Sequence, residues 1–154
     1  MAYKVFVSHC GEDFDLVQSI QRAATPLGVT IYTYEDDLQP GESLPQKLLE
    51  NIESSNAMIV LLTENGAISP AVNQEIGVAR RAGKLIVPVI EDGVDPKSFP
   101  MLQGLEFLTL DRANPAETLQ TLTVRLAKLK IDSVWGVVVL LIIAGVVFLV
   151  LRSE

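Results

Sequence analysis

The segment whose residue types most invite chemistry is S-P-A-V-N-Q-E at Ser69–Glu75. Glu75 falls in the first turns of a helix expected over Pro70–Ala82. A carboxylate there either faces a ligand crevice, where it can stabilise positive charge, or sits solvated beside Asn73 and favours only the helix macrodipole. A second polar group lies in Tyr3–Asp13, YKVFVSHCGED. Ser8 can hydrogen-bond a phosphate or a ribose, or cap a turn. His9, the only histidine, either contacts substrate or serves the structure. Cys10 has no second histidine to act as its base, so it is not read as a nucleophile. Asp13 is read as the N-cap of the helix that follows. No glycine-rich phosphate loop and no Cys/His cluster is seen, so neither a metal nor a bound cofactor is expected.

These side chains need elements to place them. Tyr3–Ser8 and Val29–Tyr34 read as strands, with a helix between them over Asp13–Leu27 that Gly28 stops. A polar turn, EDDLQPGES, leads to a helix near Leu44–Ser54. Ala57–Leu62 (AMIVLL) and Leu85–Ile90 (LIVPVI) are unbroken apolar runs, which suit strands buried on both faces of a parallel sheet. A weaker strand is expected near Glu106–Leu110, and a last helix over Ala116–Lys130. Strands alternating with helices imply a flavodoxin-like α/β sandwich of three layers, its five parallel strands in the order 2-1-3-4-5. In that order the ligand crevice opens between strands one and three. The loops Ser8–Asp13 and Thr63–Asn73 border it.

Beyond the last helix, Val134–Leu151 carries no charge, Asn, Gln or Pro. At about 1.5 Å per residue it makes about 27 Å of helix, which predicts a single-pass transmembrane anchor over 131–154 behind a domain over 1–130. Arg125, Lys128 and Lys130 precede the run and only Arg152 follows it, which predicts a cytoplasmic domain. No export leader is expected at the N-terminus. The single cysteine agrees with a reducing compartment. A net charge of −7 disfavours nucleic acid as a partner.

Three segments in order resemble the boxes of the TIR domain family, of bacterial type. Tyr3–Asp13 resembles the first box, Asp37–Gly41 (DLQPG) the second box with its mobile loop, and Ser69–Glu75 the Ser-x-Trp-Val-x-x-Glu segment. The resemblance covers about residues 3–130. It implies either of two activities. Many bacterial and plant members cleave the nicotinamide–ribose bond of NAD+, as substrate rather than cofactor, and in them the residue matching Glu75 is catalytic. Other members only assemble with TIR domains as scaffolds or adaptors. A related fold, the nucleoside deoxyribosyltransferases, also places a Glu at ribose.

The leading expectation from that resemblance is a membrane-anchored NAD+ glycohydrolase that self-assembly switches on, serving as a defence or cell-death effector. Its substrate-binding residues would be Ser8, His9, Tyr34, Leu38, Ser69 and Ala71, and its assembly loop would include Asp37, Pro40 and Gly41. Other TIR domains and a lipid bilayer would be its partners. One position departs from the family. Where the enzymes carry an aromatic, usually Trp, four residues before the Glu, this chain has Ala71, and Tyr32 or Tyr34 is the candidate replacement ring.

Overall fold

Ala57–Leu62 is buried at every position, because the sheet it belongs to is covered on both faces. The computed structural model describes residues 2–37 and 44–152, with side chains for 2–36, 45–136, 138 and 141. Strands β1 (Tyr3–Ser8), β2 (Val29–Tyr32), β3 (Ala57–Leu62), β4 (Leu85–Glu91) and β5 (Leu108–Leu110) pair in parallel in the order β2-β1-β3-β4-β5. This is the expected order, and each parallel pair is joined by a crossover, through α-helices except between β4 and β5, where the chain makes two short 3₁₀ turns.

The helices are α1 (Phe14–Ala24), α2 (Leu44–Ser54), α3 (Glu64–Ala67), α4 (Pro70–Arg81) and α5 (Pro115–Arg152). Alternate residues of each central strand face opposite cores. Val5, Val7, Ile59 and Leu61 pack with Val17 and Ile20 of α1 and with Leu122 and Leu126 of α5. Phe6, Met58, Val60 and Leu62 pack with Ile52 of α2 and with Val72 and Ile76 of α4. Ser8 has the parity of Phe6, so it emerges at the carboxyl end of β1 on the α4 side.

Three elements differ from expectation. β2 ends at Tyr32 rather than Tyr34, because the Asp36 carboxylate accepts from the backbone N–H of Thr33 at 2.8 Å and folds Tyr34–Asp37 into a 3₁₀ turn. β5 begins only at Leu108, since Glu106 and Phe107 are exposed. The short α3 was not foreseen. It is capped by Thr63, whose hydroxyl accepts from Gly66 N at 2.9 Å.

The largest correction concerns the C-terminus. Among the described residues, no helix is long and apolar enough to cross a membrane. The apolar run follows the preceding helix without a break, as its sequence allowed. It continues α5, whose first half carries Glu117, Arg125, Lys128, Lys130 and Asp132 and packs on the sheet through Leu122 and Leu126. Lys130 is itself tied down, donating from Nζ to the carbonyls of Leu27 at 2.6 Å and Gly28 at 3.1 Å. The transmembrane anchor and the single-pass topology with a cytoplasmic domain are therefore withdrawn.

Candidate active site

β1 and β3 are neighbours while their connections leave in opposite directions, so their carboxyl ends frame a crevice. From the β3 side comes α4. Ser69 caps it, its hydroxyl accepting from Val72 N, and Pro70 opens the first turn. Glu75 therefore lies in the second turn, on the face that turns inward with Val72 and Ile76. Its side chain is not solvated beside Asn73. It is 5% exposed, and the Ser8 hydroxyl donates a short hydrogen bond to its Oε2. Burial pushes the Glu75 carboxyl up to about 7, and the nearby Glu35 charge adds to the rise, while the bond from Ser8 works against it. Near neutral pH this carboxyl is poised between its two forms.

His9 follows Ser8 and is buried. Its Nδ1 lies 3.2 Å from the Val7 carbonyl and its Nε2 3.0 Å from Glu35 Oε1, so both ring nitrogens face acceptors. The Tyr34 ring stacks on the imidazole with centroids 5.4 Å apart, and the Tyr34 hydroxyl is pushed up to about 12, by burial first and then by the Glu35 carboxylate. Tyr34 borders the crevice and Tyr32 does not. The Tyr32 hydroxyl accepts from Asn51, and the Lys4 ammonium lies 4.1 Å from its ring centroid.

Asp13 makes no capping bond to α1. Its buried carboxylate accepts from the Thr63 hydroxyl at 2.6 Å and from Arg112 Nη2 at 2.8 Å. Arg112 also donates from Nε to Glu91, whose other oxygen accepts from Glu64 N at 2.9 Å. Both loops that border the crevice are thus joined to the ends of β4 and β5.

Of the residues expected at the site, Ser8, His9, Tyr34 and Glu75 come together. Ser69 caps α4, and Ala71 is exposed one turn ahead of Glu75. Asp37 closes the 3₁₀ turn, while Leu38, Pro40 and Gly41 lie outside the described residues. Sequence reasoning missed Glu35, although an acidic residue beside Tyr34 was a usable signal. It also missed Arg112, which reaches Asp13 across 99 residues without any local signal.

The TIR domain family model matches residues 5–123. The fold is similar to the TIR domain of a Toll-related receptor from Hydra magnipapillata, at 15% identity, covering 80% of this chain and 97% of that one, with a TM-score of 0.65. It is similar to a metazoan TIR-STING receptor from C. gigas at 23% identity and a TM-score of 0.61, covering 77% of this chain but 39% of the receptor. A CMP N-glycosidase from Clostridium botulinum is similar at 15% identity and a TM-score of 0.58, covering 77% of this chain and 97% of that one. At these identities the likeness is one of fold. No match is found among the curated proteins. The matched residues run from β1 into α5 and take in Ser8, His9, Tyr34 and Glu75, and the chain belongs to the TIR domain family.

Proposed function

We propose that the chain hydrolyses an N-glycosidic bond, cleaving nicotinamide from the ribose of NAD+, with Glu75 as the catalytic residue. As the C1′–N bond breaks, its electron pair leaves on the pyridinium nitrogen and nicotinamide departs neutral. C1′ becomes cationic. A carboxylate fixed beside the ribose stabilises that charge, water adds to C1′, and its proton passes to Glu75 or to solvent. The observation that carries the reading is a buried carboxyl, held by Ser8 at the switch point of a parallel sheet, with its pKa raised to about 7. Cleavage of an N-glycosidic bond by a protein of similar fold supports the bond type.

Self-association is part of the proposal. The turn Tyr34–Asp37 leads into the stretch with Pro40 and Gly41, which we assign to contacts between copies of the domain. A non-catalytic adaptor is the second reading, and one observation favours it: exposed Ala71 offers a base only a methyl group. Incubating the purified chain with NAD+ and separating the products by chromatography tests the choice. Free nicotinamide is the expected product, and its absence even at high protein concentration would leave the adaptor.

A further inference from the structure

A planar leaving base needs a planar surface near Glu75, and this inference rests on the activity proposed above. Among the described residues, His9 and Tyr34 form the stacked pair of rings at the crevice, inclined by 26°. Neither ring is placed by its own packing alone. His9 is held between the Val7 carbonyl on one side and Glu35 on the other, with its side chain fully buried. Tyr34 begins the turn that Asp36 pins to Thr33, and its hydroxyl passes close over Gly11. A Cβ built on that glycine would lie 3.2 Å from the phenol oxygen. Glu35 stands in the same turn as Tyr34 and grips the ring on which Tyr34 lies.

We infer that Glu35 is a positioning residue: through His9 it fixes the Tyr34 ring as the surface that receives the heteroaromatic base of a nucleotide substrate beside Glu75. The surface comes from the turn after β2 and not from α4, so Ala71 need not supply a ring. The Glu35 carboxylate is well suited to the task. Burial alone would push its carboxyl up, but Thr33, its own backbone amide, the His9 ring and the Tyr34 hydroxyl hold it below the usual range, so it stays a charged acceptor.

The test is a double-mutant cycle on the full chain with Glu35→Ala, Tyr34→Ala and the pair, read as KM and kcat for NAD+. Dissociation constants for NAD+ are measured in parallel on the same variants in a Glu75→Gln background, where binding can be followed without turnover. Each single change should weaken NAD+ binding about tenfold, the worth of one aromatic contact, with kcat within about twofold of the parent. The double variant should be no weaker than either single, because both act through one surface. Tyr34→Phe keeps the ring and should bind like the parent, which separates loss of the surface from loss of the fold. Additive losses, a fall in kcat at unchanged KM, or weak binding by Tyr34→Phe would each overturn the assignment. If the chain cleaves no NAD+ yet the dissociation constants follow this pattern, the activity fails and the positioning role stands.

Discussion

Glu75 is a residue whose energetic cost and proposed chemical use have the same origin. Its carboxyl is raised from 4.5 to about 7 chiefly by burial, so the folded chain binds that proton more tightly than the unfolded chain does. The contribution to stability is fully present below about pH 4.5 and is lost as pH rises through about 7, a change of about 3 kcal/mol. Glu75→Gln removes the titration. At pH 8 the variant should resist urea better than the parent, and at pH 4.5 the two should be alike, as equilibrium unfolding at both pH values will show. Ser8 works in the opposite direction, since its hydroxyl stabilises the carboxylate. Ser8→Ala should move the rising limb of the pH–rate profile upward by about one unit. A limb that stayed in place would mean that ionised Glu75 does not govern the rate.

At the scale of elements, the site depends on loops that hydrogen bonds hold together from a distance. Asp13, Thr63, Arg112 and Glu91 join the ends of β1, β3, β4 and β5. Arg112→Gln would leave the buried Asp13 carboxylate without its cation and should cost about 2 kcal/mol, measured by urea unfolding. It should also lower activity, because both bordering loops lose an anchor. The strands were legible in advance where their apolar runs were unbroken: AMIVLL and LIVPVI suit strands buried on both faces of a parallel sheet, and both form central strands. β5 was drawn too long because Phe107 adjoins Leu108 and Leu110 and looks like part of the same strand, whereas in the fold its side chain is exposed. Ser8 and Glu75 were legible as candidates from their places at strand and helix ends. Their contact was not, and neither was the bond from Arg112 to Asp13, because pairing across many residues leaves no periodic trace. Asp13 had looked like a cap for the same reason: its sequence neighbours announce a helix start, while its carboxylate serves β3 and β5.

For the whole molecule, the apolar C-terminal run illustrates how composition alone misleads. It continues a helix whose first half is charged and packed on the sheet, and no helix among the described residues meets the length and apolarity of a span. If assembly completes the site, nicotinamide release per chain should rise with protein concentration, and crowding agents should raise it further at fixed concentration. A rate per chain that stays constant across the range would remove assembly from the mechanism. The central claim is narrower, and one comparison reaches it most directly. Nicotinamide released from NAD+ is measured side by side for the parent chain and for Glu75→Gln, at pH 8 and at the same high protein concentration, after circular dichroism has shown that both are folded. The account predicts steady release by the parent and a loss of about 100-fold or more in the variant. Equal release by the two proteins would contradict it.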